Sequence, residues 1–362
     1  MSGKPREKGV TFFKVSARAL MLAAAGLLVL SYVSVFFNPA KAWVMTVFGL
    51  LYFCFAGLNL FLLFWALARR SKAIVIPFLA LLPSVTVFGK YYQFSSGAVE
   101  DDGSGVKIVS YNVGRFASPA RRLGIDSQQE CADSVFSYLR SMDADIICLQ
   151  EFYMKDVSKV KTYLAREFKG YEAEYFVYPD SKGCYGNVTL SKYPILSKGT
   201  LDFEKSSNLA ISCDCEINGT RLRIYNCHFQ SYSISLPHVV NTVKGSYREA
   251  VKYTEDKLRY SIGKRPKQVD LVMDNIEDCP VESIVTGDFN DNPTSYTYHR
   301  LCKGREDTFV EGGKGIGATY THLYPFLRLD YVLYPAHYST ISHKVDKVRY
   351  SDHFPVITTI KI

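Results

Sequence analysis

A chain of 362 residues holds one large domain or two ordinary ones. Its formal net charge of +8 hints at a nucleic-acid binder, but the charge is unevenly placed: residues 1–90 carry ten Lys/Arg against one acid, Glu7, and the remainder carries 33 against 34. A near-neutral large portion argues against a protein that grips long stretches of phosphate backbone, and nine cysteines without a CxxC pair argue against a zinc ribbon.

Three apolar runs open the chain, at residues 19–37, 42–68 and 73–89, and none contains a charged residue. A bilayer-crossing helix needs roughly 20 apolar residues, with about 17 as the lower end. The runs therefore predict a transmembrane module over residues 1–92 with three spans, the third shortened and carrying Pro77 and Pro83. Ala40-Lys41-Ala42 looks like a cleavage site, but the second run follows at once, which favours an uncleaved first span. Basic residues precede the first run (Lys4, Arg6, Lys8, Lys14, Arg18) and lie between the second and third (Arg69, Arg70, Lys72), with only Lys41 between the first two. Positive residues favour the cytoplasmic side. The expectation is a multi-pass protein of the cytoplasmic membrane, its lipid bilayer a direct partner, with everything after residue 90 outside if all three runs cross and inside if the third is only re-entrant. Residues 93–105 are small, polar and acidic and read as a tether.

From residue 106 the pattern changes to strands with a few helices. Val106–Asn112 alternates like a strand and ends on Asn112. Residues 127–142 have helical spacing, Asp145–Glu151 is a buried strand ending in a carboxylate, and 156–168 is helical again. Residues 171–178 and 184–191 read as strands, with a turn and a further strand at 192–195, and 208–217 with 220–230 as a hairpin around Asn218-Gly219, a strong turn signal. His228 lies near the end of the second hairpin strand. Residues 237–277 are mostly helical and form an outer layer over the sheet. Ser283–Pro293 (SIVTGDFNDNP) then gives a strand that Gly287 breaks, with Asp288 and Asn290 two apart and Phe289 turned inward. A glycine-rich loop at 312–317 precedes a strand at 328–334 with Asp330 at its start, and the last strand, 354–362, follows Ser351-Asp352-His353. Two stacked sheets covered by helices account for this order.

Asn112, Glu151, His228, Asp288, Asn290, Asp330, Asp352 and His353 thus all fall at strand ends. Singly, each also reads as an ordinary cap or turn residue. Together they carry a resemblance. The stretches SYNVGRF (110–116), DIICLQE (145–151), YGNVTLSKYPI (185–195), YNCHFQS (225–231), IVTGDFNDNP (284–293), RLDYVL (328–333) and SDHFPV (351–356) resemble, in order, the endonuclease/exonuclease/phosphatase superfamily with its deoxyribonuclease I-like fold. GKGIGATYTH (313–322) and HFQS (228–231) resemble its membrane-tethered bacterial members.

The resemblance implies an α/β fold, a four-layered α/β sandwich over residues 106–362, and divalent-metal hydrolysis of a phosphoester substrate. By the same resemblance Glu151 holds Mg²⁺ (or Mn²⁺), with Asn112 supporting the metal or the phosphate and Asp352 adding a further oxygen to the metal site. Asp288 orients or deprotonates the attacking water, and Asn290 fixes a phosphate oxygen. His353 contacts the phosphoryl oxygens with Asp330 on its other ring nitrogen, and His228 serves the leaving group. Gln230 departs from the Asn or Asp that many members place nearby, and Asn187 lies in a stretch that approaches substrate in relatives. The leading expectation is a membrane-anchored, metal-dependent hydrolase of a lipid head group or small phosphoester outside the membrane. The alternatives are an extracytoplasmic nuclease for DNA or RNA and a non-catalytic binding protein on the same fold.

Overall fold

The computed structural model describes residues 5–117, 127–180, 183–204, 206–232 and 236–362. The N-terminal third forms α1 (Pro5–Val33), α2 (Trp43–Leu50), α3 (Tyr52–Ala68), α4 (Val75–Leu81) and α5 (Ser84–Phe88), then a two-residue strand, β1 (Tyr92–Gln93). Among the described residues the three runs do not fold as three unbroken helices. One helix, Val15–Phe36, is long and apolar enough to cross a membrane; the second run passes that test only as α2 and α3 joined across a 55° bend. The third run is cut at Leu82-Pro83 into two short helices, because Pro83 lacks the N–H that would continue the ladder. The helices hold one another through a small core of Met21, Ala24, Leu62 and Ala66. Buried Asn59 donates to the Ala24 carbonyl at 2.8 Å, a polar staple in an apolar bundle.

The rest of the chain runs β2 (Gly105–Asn112), α6 (Gln128–Met142), β3 (Ile146–Met154), α7 (Val160–Glu167), β4 (Glu172–Asp180), β5 (Gly183–Ser191), β6 (Ile195–Asp202), β7 (Leu209–Ile217), β8 (Thr220–His228), α8 (Leu236–Gly245), α9 (Tyr247–Glu277), β9 (Ser283–Asp288), α10 (Tyr296–Leu301), β10 (Arg305–Asp307), α11 (Thr308–Gly312), β11 (Gly315–Ile316), β12 (Asp330–Pro335), β13 (Ser339–Val345) and β14 (Val356–Lys361). Local chemistry sets several boundaries. Ser127 and Glu130 cap α6 reciprocally, and Asp143 ends it in the left-handed region. Asn218 and Gly219 both adopt positive φ, as a two-residue hairpin turn requires.

Two six-stranded sheets result, ordered β13-β14-β2-β3-β5-β4 and β10-β12-β9-β8-β7-β6. Each is antiparallel except for one central pair, β2 with β3 and β8 with β9. The parallel pairs need crossovers, which α6 and the α8–α9 region supply. Alternation then sorts the side chains. Val106, Ile108, Ile146 and Cys148 of one sheet meet Cys213, Cys215, Ile224, Ile284 and Val332 of the other in the central core. Val109, Tyr111, Ile147 and Leu149 face α6 and α7. Tyr225, Val285 and Leu333 face Val269, Val272 and Met273 of α9. These are the four layers. All nine cysteines are free thiols, and Cys148, Cys213, Cys215 and Cys227 serve as small core residues.

Residues 93–105, expected as a bare tether, are docked in part. β1 pairs with β11, Ser96 donates to the Gly312 carbonyl at 2.9 Å, and Val99 N–H reaches Thr340 O at 2.9 Å. The helices also touch the large domain directly. Thr294 Oγ1 donates to Gly49 O at 2.8 Å, Tyr91 OH lies 2.9 Å from the same hydroxyl, and Phe36 packs edge-on against His299. Gly49 has no room for a side chain, because a Cβ would come within 2.3 Å of Thr294 O.

Candidate active site

Strand parity explains why the predicted residues gather. Asn112 continues the inward row Val106, Ile108, Ser110; His228 continues Ile224, Asn226; Asp288 continues Ile284, Thr286. Each therefore projects between the sheets as its strand ends, at the carboxyl ends of the two parallel pairs, the end where α/β sheets open a crevice. Asp330 enters from the antiparallel neighbour, in register with Asp288, which is in register with His228. A row of His, Asp, Asp across three adjacent strands is the floor of the site.

Two groups reach the site by backbone irregularities instead. Gln150 continues the inward row of β3, so Glu151 should face the helices. A bulge between Leu149 and Phe152, with Glu151 at φ 53°, turns it into the site. Asn290 lies beyond β9 at φ 52°, which folds its amide back so that Nδ2 donates to Asp288 Oδ2 at 3.1 Å and to Phe229 O at 2.9 Å. Gly287 does not break β9 as expected. It stays paired at φ 127°, and a Cβ there would come within 2.0 Å of Cys227 O, so the glycine permits close strand approach beneath the site.

The eight predicted residues converge. Asn112 Nδ2 donates to Asp288 Oδ2 at 2.9 Å and lies 3.5 Å from Glu151 Oε1. His353 Nδ1 lies 2.8 Å from Asp330 Oδ2, and its Nε2 faces Asp288 Oδ2 at 3.7 Å. His228 Nε2 stands 3.6 Å from Glu151 Oε1 and 3.8 Å from Asp288 Oδ2, buried and without a hydrogen-bond partner. Asp352 sits at the rim, taking a 3.2 Å bond from Ser351 Oγ onto its Oδ1.

The two histidines are pushed in opposite directions. Burial pulls His228 below the ordinary histidine range, which favours its neutral imidazole. Burial acts on His353 too, but the carboxylates of Asp330 and Asp288 overcome it and hold the ring protonated well above that range. Burial raises Asp288 to about 6, with the Asp330 charge adding to it and the two histidines opposing. Glu151 is also raised, by burial first and by the charge of Asp352 second.

A cation fits this donor set. The Asp352 charge adds to the burial that raises Glu151, and the positive groups that oppose it are His353 and Arg115, whose Nε is 3.7 Å from Glu151 Oε2. Hard oxygen donors of this kind suit a divalent ion. Asp288, Asp330 and His353 also offer ligand atoms within 4.8 Å of one another. Since His353 is held in its protonated form, which offers no lone pair, and Asp330 Oδ2 is engaged with its Nδ1, Glu151 with Asn112 and Asp352 is the better-suited set.

Residues that sequence reading passed over (Gln150, Asn226, Arg265 and Tyr320) complete the frame together with Asn187 and Gln230, which it had noted. Gln150 Nε2 donates to Asn226 Oδ1 at 2.7 Å, and Asn226 Nδ2 reaches the Val188 and Leu149 carbonyls, stitching the two sheets below the site. Asn187 is buried there too, donating to Asn226 O at 3.0 Å. Gln230 turns toward α9, its N–H bound by Gln268 and its carbonyl by Arg265. Buried Arg265 also pairs with Asp291 at 2.8 Å and stacks on Tyr232, tying α9 to the turn after Asn290. Tyr320 lays its ring 5.1 Å from that of His353. The inward parity of Gln150 and Asn226 was readable; the partners were not.

The endonuclease/exonuclease/phosphatase family profile matches residues 109–353. This chain belongs to that family. Its members are phosphoester hydrolases that generally use a divalent metal. Residues 14–91 match a second profile, described as a domain of unknown function (DUF8431). No curated protein matches the sequence. Among solved structures, a family member from Beutenbergia cavernae is 16% identical, with 72% of each chain covered and a TM-score of 0.52. One from Bacteroides vulgatus is 17% identical over 71% of this chain and 99% of its own, also at 0.52. The human nocturnin catalytic domain is 15% identical over 73% and 95%, at 0.51. At such identities the likeness is one of fold.

Proposed function

We propose that this protein is a membrane-anchored, divalent-metal-dependent phosphoesterase acting on a lipid head group or small phosphoester outside the cytoplasmic membrane. The observation that carries the reading is the convergence of two buried histidines on one buried carboxylate, Asp288, with His228 Nε2 at 3.8 Å and His353 Nε2 at 3.7 Å from its Oδ2 and His353 Nδ1 at 2.8 Å from Asp330. Asp288, held by Asn112 and Asn290, is placed to orient a water and accept its proton. Protonated His353, steadied by Asp330, donates to a phosphoryl oxygen as negative charge grows there. His228 keeps Nε2 unpartnered and aimed into the site, ready for the leaving-group oxygen. Glu151, Asn112 and Asp352 would hold Mg²⁺ or Mn²⁺, which supplies charge neutralisation at the phosphoryl group.

Two features support the setting. The helix ends that meet the large domain are the carboxyl end of α1 and the amino end of α3. Arg69, Arg70 and Lys72 therefore sit about 25 Å away, at the far end of α3. Positive residues favour the cytoplasmic side, which supports a large domain outside. The near-neutral charge of residues 91–362 favours a small or lipid substrate over long DNA or RNA.

The test is hydrolysis of bis(p-nitrophenyl) phosphate by the detergent-solubilised full chain with Mg²⁺ or Mn²⁺. Asp288→Ala and Glu151→Ala should each abolish it while the fold is kept. Turnover that survives both changes, or that ignores chelation of the metal, would overturn the reading.

A further inference from the structure

One loop beside the site belongs to two surfaces at once. Residues 320–328 leave the Gly315–Ile316 strand and return to Asp330. On the inner side the loop is fixed to the catalytic row. Tyr320 pairs with His353 in an isolated bridge, and Thr321 N–H donates to Asp352 O at 2.8 Å. On the outer side it is fixed to the helices. Phe326 packs edge-on against Phe53 of α3 at 5.7 Å, and Arg328 Nη1 donates to Lys90 O at 3.1 Å. Between these anchorages the tip shows apolar surface outward. Phe326 is 53% exposed and Leu323 39%.

That surface continues into the flank of α3, where Phe61 and Phe64 are 65% and 59% exposed. Water-exposed aromatics on a helix of this apolarity are ordinary only where lipid covers them. Phe53, Leu60 and Phe64 share one face of α3 by helical spacing, and the loop tip meets that face at Phe53. We propose that Leu323 and Phe326 form a lipid-contact surface, seated in the head-group layer of the bilayer that holds α1. Membrane lipid then meets the site from the side of the helices, its phosphoester reaching His353 across Tyr320. This rests on the phosphoesterase reading above and names the substrate class, a phospholipid or other phosphorylated lipid of the same membrane.

The full chain is reconstituted in nanodiscs and assayed on two substrates, a phosphorylated lipid within the bilayer and soluble bis(p-nitrophenyl) phosphate. Leu323→Asp with Phe326→Asp should lower kcat/KM for the bilayer lipid by about tenfold or more, the scale of one large apolar side chain losing its burial. Hydrolysis of the soluble ester should stay within about twofold, since neither side chain belongs to the catalytic row. Equal loss on both substrates, or no loss on the lipid, would overturn the lipid-contact surface. Absence of hydrolysis of either substrate by the unaltered protein would overturn the phosphoesterase reading instead. A second readout needs no turnover: Phe326→Trp should gain fluorescence that brominated lipid quenches beyond the background of Trp43 and Trp65. Unquenched emission would refute the placement.

Discussion

Asp330→Asn isolates one interaction at the site. The carboxylate is 1% exposed, and its Oδ2 lies 2.8 Å from His353 Nδ1. Replacement by the isosteric amide keeps the shape and removes the charge that, with Asp288, holds His353 protonated. A hydrogen bond to a charged partner is worth about 1.5–3 kcal/mol. If that interaction is felt fully in the transition state, the rate falls roughly ten- to 150-fold. The sign of the pH effect follows from the same pair. His353 is raised above its ordinary value, so its protonated form persists to high pH and is lost only as pH climbs through the folded value. In Asp330→Asn that loss comes earlier, and the descending limb of kcat/KM moves to lower pH. The assay is initial-rate hydrolysis of bis(p-nitrophenyl) phosphate from pH 5 to about 10 at saturating Mg²⁺, with thermal unfolding as a check on folding. A rate within about twofold of the parent together with an unmoved descending limb would refute the assignment of His353 and Asp330 as a working pair.

Other expectations are independent of that one. With Asp288 raised to about 6, the ascending limb of the same profile should lie at or below that pH, the lower side applying because a bound cation favours the carboxylate; an ascending limb near neutrality would point to a different base. Arg265→Met strands Asp291 in a buried position and should cost about 3–5 kcal/mol in chemical denaturation, whereas an exposed pair such as Arg259 with Glu255 should cost less than about 1 kcal/mol. Gly49→Ala forces a Cβ to within 2.3 Å of Thr294 O and should weaken helix–domain docking by about 1–3 kcal/mol, seen as faster proteolysis around residues 93–105. Gly57→Ala, with open space around it, is the matched control.

The limits of sequence reading here are physical and can be assigned residue by residue. Asn112, His228, Asp288 and Asp330 were legible because period-two alternation alone carries them to the inner face. The two sheets and their helical covers followed from the same alternation. Glu151 was found by resemblance, but its parity is wrong for the site, and only the bulge at 150–151 repairs it. The same holds for Asn290, whose position depends on a left-handed backbone rather than an extended one. Bulges and positive φ at non-glycine residues leave no periodic signal. β13 was missed because Ser339–Val345 alternates weakly, with polar residues on both faces. The three-span expectation counted apolar residues, and neither the bend at Leu51 nor the break at Leu82-Pro83 changes that count. Docking of the helices on Thr294 was invisible because it depends on two surfaces distant in sequence, Gly49 and Thr294, meeting through backbone atoms.

The left-handed backbone at Glu151 carries a cost that the rest of the domain must bear. A long side chain in that region is disfavoured by roughly 1–2 kcal/mol relative to its ordinary conformations, and glycine is not. Stability and catalysis therefore pull in opposite directions at one residue. Glu151→Gly should unfold at a higher temperature than Glu151→Ala, although both are equally inert, because glycine releases the strain and alanine retains it. The protein keeps a side chain strained by its backbone at the position where a carboxylate is needed, and a selection for thermal resistance alone would discard it.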